Sequence, residues 1–134
     1  MAKSIMYRLF KMGRIPKNID RSSLITFDEG VSIVIHYINF KSPGKRFSNK
    51  KRMFLGLIMT TSGQIIAFVS KHQLLNLKLD DERLKKIDFS QSSPEKLIMH
   101  FDVSLFSDDS SGMVTYTFKT PVADKILERI QDSA

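Results

Sequence analysis

Six cationic side chains lie within twelve consecutive residues that contain no acidic residue: Lys41, Lys45, Arg46, Lys50, Lys51 and Arg52. A guanidinium group can donate two parallel hydrogen bonds to two oxygens of one phosphate or carboxylate, and an ammonium group attracts the same oxygens as a point charge. Phe47, in the middle of the run, can insert apolar surface at a lipid interface or stack on a base. The segment therefore predicts an anion-binding site, and the competing interpretation is a charged loop that only interacts with water and discourages edge pairing.

The other residue types that commonly catalyse reactions or bind metals show no recognisable motif in this sequence. The histidines at positions 36, 72 and 100 are separated by 36 and 28 residues, and neither spacing matches a metal-ligand motif. The acidic runs at 80–82 and 108–109 lack the alternating oxygen ligands of a calcium loop, so they are predicted to serve turns and helix starts. Because the chain has no cysteine, thiolate catalysis, disulfides and cysteine-ligated metals are excluded. We predict no catalytic residue, no metal and no cofactor.

The positive charge is concentrated in one part of the chain. The 134 residues carry a net charge of +7. Residues 1–52 hold 12 Lys and Arg against 3 Asp and Glu, whereas residues 53–134 hold 9 against 11. Such an asymmetry attracts phosphate, nucleic acid or anionic lipid, and it also promotes solubility. Neither a signal peptide nor a membrane span is apparent, so a cytoplasmic protein is expected.

Most of the secondary structure predicted for this sequence is β-strand, so strands must position the basic side chains. Segments rich in β-branched and aromatic residues, or alternating apolar and polar, predict strands, and the connections between them are too short for parallel crossovers. The predicted strands are 31–40, 53–60, 64–70, 73–79, 84–89, 96–103 and 113–119. Pro43-Gly44 marks the basic segment 41–52 as a loop between the first two strands.

The C-terminus carries the clearest helix signal. Thr120 is a good N-cap, Pro121 suits the first helical position, and an apolar stripe follows at helical spacing, made of Val122, Ala123, Ile126, Leu127 and Ile130. A helix of about 12 residues is marginal alone in water, so this stripe must dock on the sheet. Residues 1–22 show a weaker helical pattern.

The fold class is therefore mainly β: an antiparallel barrel or sandwich of about seven strands, closed by a C-terminal amphipathic helix. We expect one domain over residues 1–134, with an N-terminal extension or helix at 1–22, strands within 23–119 and the helix at 120–132.

This order of segments resembles a pleckstrin-homology-like (PH-like) fold, and in particular small bacterial proteins with PH-like domains, most of which have no assigned function. The resemblance is carried by GVSIVIHYINF, KSPGKRF, LGLIMTTSGQII, LNLKLDD and DDSSGMVTYTFKTPVADKIL, which are spread over roughly the last four-fifths of the chain. It implies a domain that binds lipids, peptides or proteins, and it supplies no catalytic residue. Lys45-Arg46 and Lys50-Lys51-Arg52 lie in an early strand connection, where lipid-binding members carry basic residues.

Three functions are consistent with the sequence. The first is a non-catalytic binding module that recruits a protein partner or an anionic ligand through the basic loop and an exposed strand edge. The second is a small β-barrel that binds nucleic acid, using Tyr37, Phe40 and Phe47 beside the cations. The third is an enzyme with a pocket near His36 or His100. Membrane-surface binding by the N-terminal segment is a weaker expectation.

Overall fold

The computed structural model of the chain describes residues 24–69 and 72–133. The helix or extension predicted at residues 1–22 lies outside this part of the chain. Within the described residues, no helix combines the length and the apolar character needed to cross a membrane.

Within residues 24–69 and 72–133, seven antiparallel strands form one sheet, and one α-helix follows them. The strands are β1 (Leu24–Ser42), β2 (Lys45–Thr61), β3 (Gln64–Val69), β4 (His72–Lys78), β5 (Asp88–Ser93), β6 (Lys96–Asp102) and β7 (Ser111–Lys119), and helix α1 spans Ala123–Ser133. Their spatial order is β4-β3-β2-β1-β7-β6-β5. The predictions of a mainly β chain with about seven strands and a C-terminal helix are confirmed.

Of the two predicted arrangements, a barrel and a sandwich, the closed barrel is wrong, because the edge strands β4 and β5 do not pair with each other. The sheet nevertheless encloses one core: Leu75 and Leu77 of β4 belong to the same buried cluster as Leu97 and Met99 of β6. Since these strands are far apart in the sheet, the sheet must curl until its two halves face one another. A 3-10 helix at Glu82–Lys86 links the two edges and adds Leu84 to the same cluster.

Helix α1 docks where the apolar stripe predicted it would. It contacts β5 and β6, and it buries Ala123, Ile126 and Ile130 in the core. Thr120 fixes its start, because the Val122 N–H donates to the Thr120 Oγ1 at 3.3 Å and this hydroxyl donates to Asp28 Oδ2 of β1 at 2.6 Å. Pro121 lies in a turn just before the helix rather than in its first position.

Two local predictions are wrong. The first half of the strand predicted at 84–89 belongs to the 3-10 helix, because the Asp81 side chain accepts a hydrogen bond from the Arg83 N–H at 2.8 Å and caps a helical turn. Only its last two residues lie in β5. The loop predicted at 41–52 is mostly β-structure. Only Pro43 and Gly44 form its turn, with Gly44 at φ 78°. Pairing with β1 outweighs the low strand propensity of lysine and asparagine in this segment.

Candidate functional site

The six predicted cations lie along the hairpin that β1 and β2 form, and all six are exposed. Cross-strand pairing decides which of them come together. Lys41 pairs with Arg46 beside the turn, so these two cations are neighbours. Lys45 pairs with Ser42 at the turn itself.

The other three cations divide between the two faces of the sheet. Lys50 and Arg52 pair with Tyr37 and Ile35, two residues of the core-facing side of β1. Lys51 pairs with His36 and therefore points to the opposite face. The six charges consequently surround the end of the hairpin instead of forming a patch on one plane. We call residues 41–52 the basic hairpin.

In the part of the chain that the structure describes, no carboxylate forms an ion pair with the basic hairpin. Among the described residues, the ion pair that forms is between Arg83 and Asp81, at 2.7 Å, and none of the six hairpin cations takes part in one. The positive field of this segment is therefore available to an external anion.

Aromatic rings lie beside two of the cations and contact them. Tyr37, Phe40 and Phe47 form a cluster with ring centroids 5.0 to 5.8 Å apart. Lys50 Nζ lies 4.4 Å from the Phe47 ring centroid, and Arg52 Cζ lies 5.4 Å from that of Phe54. These distances suit cation–π attraction, which orders the long basic side chains. Phe47, predicted to meet a lipid or a base, is half-buried in this cluster.

A shallow recess of about 260 Å³ opens beside the hairpin turn. It is lined by Asn39, Phe40, Lys41, Arg46, Phe47, Ser48 and Ser111. It combines two cations with two hydroxyl groups, a donor set that suits an oxyanion. Sequence reasoning missed Asn39, Ser48 and Ser111. Ser111 reaches the recess through its pairing with Lys41, a contact that no local sequence pattern signals.

Two of the three histidines lie within hydrogen-bond distance of an uncharged side chain. His36 Nε2 lies 2.6 Å from Asn49 Oδ1, and His100 Nδ1 lies 2.6 Å from Thr115 Oγ1. Neither histidine lines the recess at the hairpin turn. Among the residues that the structure describes, no three His, Asp or Glu side chains converge in a way that could hold a metal ion.

A second concavity, a cleft of about 220 Å³, lies between the two halves of the curled sheet. Its lining is mainly apolar and comprises Leu74, Leu75, Asn76, Arg83, Phe101, Val103, Phe106 and Tyr116. Arg83 lies at this cleft with its Cζ 4.9 Å from the Phe106 ring centroid. Its hydrogen bonds to Asp81 lower the pKa of that carboxyl to about 2. Burial raises the pKa of the Tyr116 phenol to about 12.

The raised pKa of Tyr116 predicts a loss of stability at high pH. An unfolded tyrosine ionises near pH 10, roughly two units below the folded one, so the unfolded state releases its proton first. The contribution of Tyr116 is complete below about pH 10 and falls as the pH rises toward 12. Urea unfolding measured across this range should show a steeper decline for the wild-type chain than for Tyr116→Phe. Parallel declines would contradict the assignment.

Comparisons with known proteins give this chain no family: no family model matches it, and no curated protein matches its sequence significantly. The residues of the basic hairpin, with their exposure and charge, are the basis on which a function can be assigned.

Proposed function

We propose that the chain is a non-catalytic PH-like binding module of the cytoplasm, and that its basic hairpin binds an acidic segment of a protein partner. One observation carries this proposal: six exposed cations surround the end of one hairpin, and none forms an ion pair within the described residues. Charges this dense repel one another and give the folded chain no local stability. A carboxylate-rich partner would offset that repulsion, because its negative charges attract the cations.

The fold supports the same proposal. Seven antiparallel strands in a curled sheet, followed by one amphipathic helix docked on the core, are compatible with the PH-like resemblance of the sequence. The rigid part of the domain holds the hairpin in place, because β1 pairs with β7 from Ser32 to Lys41 while it pairs with β2 on its other side. A binding surface on such paired strands is already ordered before the partner arrives, so less entropy is lost on binding.

The distribution of charge favours a polypeptide over a membrane. A flat bilayer can meet only one side of the hairpin, whereas Lys51 lies on the face opposite to Lys50 and Arg52. An extended acidic segment can follow the strand and reach both faces. The aromatic rings favour a polypeptide over nucleic acid for a different reason: Tyr37, Phe40 and Phe47 pack against one another and are all half-buried, so they do not form an open stacking platform.

The proposal is tested by measuring binding of the chain to poly-glutamate, to vesicles containing anionic lipid and to single-stranded and double-stranded oligonucleotides, at low and at high salt. We expect poly-glutamate to bind best and to weaken as salt is added, because exposed charges are screened. A variant with Lys45, Arg46, Lys50, Lys51 and Arg52 all changed to serine should bind at least about tenfold more weakly.

The matched control changes five exposed lysines elsewhere, Lys85, Lys86, Lys96, Lys119 and Lys125, to serine. It removes the same net charge and should keep most of the binding. An equal loss in both variants would show that only net charge matters and would overturn the proposed site. Tighter binding to vesicles or to oligonucleotides than to poly-glutamate would replace the protein partner with that class of ligand.

A further inference from the structure

We infer that the acidic partner binds as an additional β-strand along the part of β2 that has one edge unpaired, residues 45–55. This inference rests on the proposed function and specifies how the basic hairpin engages its partner. It follows from the pairing of β2, from the exposure of two apolar side chains and from the charge of the edge.

Among the described residues, 11 of the 17 residues of β2, positions 45–55, have no paired strand on one side. β1 pairs with β2 along nearly its whole length, from the Ser42–Lys45 pair to the Leu24–Thr61 pair. β3, on the other side, pairs only with residues Gly56 to Thr60. Within the described part of the chain no strand lies beside residues 45–55 on that side. The unpaired stretch is roughly 36 Å long, and alternate residues along it present their N–H and C=O groups outward.

The side chains show the same boundary. Met53 and Leu55 are each 73% exposed, whereas Leu57 and Met59, next along the same face of β2, are buried. The change coincides with the start of β3, whose Phe68 and Ile66 pair with Leu57 and Met59. A strand added beside residues 45–55 would give Met53 and Leu55 the same kind of cross-strand neighbours.

The positive charge of this edge favours an acidic partner over a second copy of the chain. Residues 45–55 contain five cations and no acidic residue. A second copy of this chain, paired edge to edge, would bring two such sets together across strands about 5 Å apart, so self-pairing is opposed by repulsion. An acidic strand is attracted by the same charges. The cations that prevent the edge from aggregating thus favour a partner of opposite charge.

The positions of the side chains also define the partner's pattern. Lys50 and Arg52 lie on one face and Lys51 on the other, so consecutive acidic residues match them better than alternating ones. Met53 and Leu55 lie on one face, so the adjoining part of the partner needs apolar residues at every second position. The expected ligand is a short run of consecutive acidic residues joined to an alternating apolar segment.

Two synthetic peptides of about ten residues, a length that spans most of the edge, test this inference. The first joins three glutamates to an alternating valine–threonine segment. The second has the same charge but carries a proline at its centre, which removes a backbone donor and disfavours a strand. We expect the first peptide to bind at least tenfold more tightly at low salt. Hydrogen exchange should show that the fast-exchanging amides among residues 45–55 become protected when it binds.

A variant pair adds an independent measurement. The double change Met53→Thr and Leu55→Thr should weaken binding of the first peptide about fivefold, whereas Ile25→Thr, at a residue 50% exposed and far from the hairpin turn, should leave it unchanged. Equal binding of the two peptides without new amide protection would overturn strand addition and leave the charge-based function intact. Binding of neither peptide, together with failure of poly-glutamate to bind, would overturn the proposed function as well.

Discussion

Changing Ile126 to aspartate should leave the chain without a cooperative unfolding transition. Ile126 is fully buried between α1 and the sheet, in the same cluster as Ala123 and Ile130. Truncation of an isoleucine at such a site costs about 2–5 kcal/mol. Replacing it with an unpaired carboxylate adds several kcal/mol, since the charge must stay buried or the helix must leave the core. The total approaches the roughly 5–15 kcal/mol that stabilises a typical domain.

The matched control is Lys125→Asp, at the exposed neighbouring position on the same helix. It should keep the transition and change the free energy of unfolding by about 0.5 kcal/mol or less. Urea denaturation followed by circular dichroism distinguishes the two variants, and Ile126→Ala supplies an intermediate value if the aspartate variant does not fold. A wild-type transition in Ile126→Asp would mean that α1 is not part of the core.

The docked helix and the core-facing strand residues were predictable because both depend on short-range periodicity. The alternation of residues 96–103 predicts that Leu97, Met99, Phe101 and Val103 face inward. The first three are buried, whereas Val103 starts a 3-10 helix and is half-buried. The spacing of Ala123, Ile126 and Ile130 predicted the buried stripe of α1 in the same way. In each case the burial pattern repeats every two residues or every 3.6, so a local stretch of sequence contains the information.

The features that escaped prediction depend on partners distant in sequence. The strand at residues 45–52 is hydrophilic and has no alternating pattern of its own, and it exists because β1 supplies a paired neighbour along its length. The link between β4 and β5 likewise escaped prediction, because the Asp81 cap starts a 3-10 helix in a segment that includes part of the strand predicted at 84–89. A competition between a local cap and a tertiary strand pairing cannot be decided from composition.

The candidate site was predictable in its residue types but not in its geometry. The density of lysine and arginine alone identified the six cations. Their division between faces depends on the two-residue turn at Pro43 and Gly44, because moving the register by one residue would exchange the faces of Lys50 and Lys51. The free edge depends on where β3 begins to pair with β2, at Gly56.

Gly56 therefore marks the boundary between the paired and the free parts of β2, and Gly56→Ala is expected to destabilise the fold strongly. A Cβ at this position would lie 2.1 Å from the backbone oxygen of Phe68 and 2.9 Å from Ile33 Cδ1. The isoleucine methyl can move, but the carbonyl belongs to β3 and cannot retreat without disturbing the β2–β3 pairing. We expect a loss of roughly 3 kcal/mol, the upper part of the range for overpacked sites.

Gly63→Ala is the control for this change, because a Cβ at Gly63 would meet no atom within 4 Å. Urea denaturation should show a change of about 0.5 kcal/mol or less for Gly63→Ala. In Gly56→Ala, hydrogen exchange should accelerate first in β3, since that strand must shift to accept the new methyl group, and the β1–β2 pairing of residues 45–55 should stay protected. Wild-type stability in Gly56→Ala would show that the backbone of β3 leaves room for a methyl group beside residue 56. The boundary between the paired part of β2 and its free edge would then have to lie elsewhere.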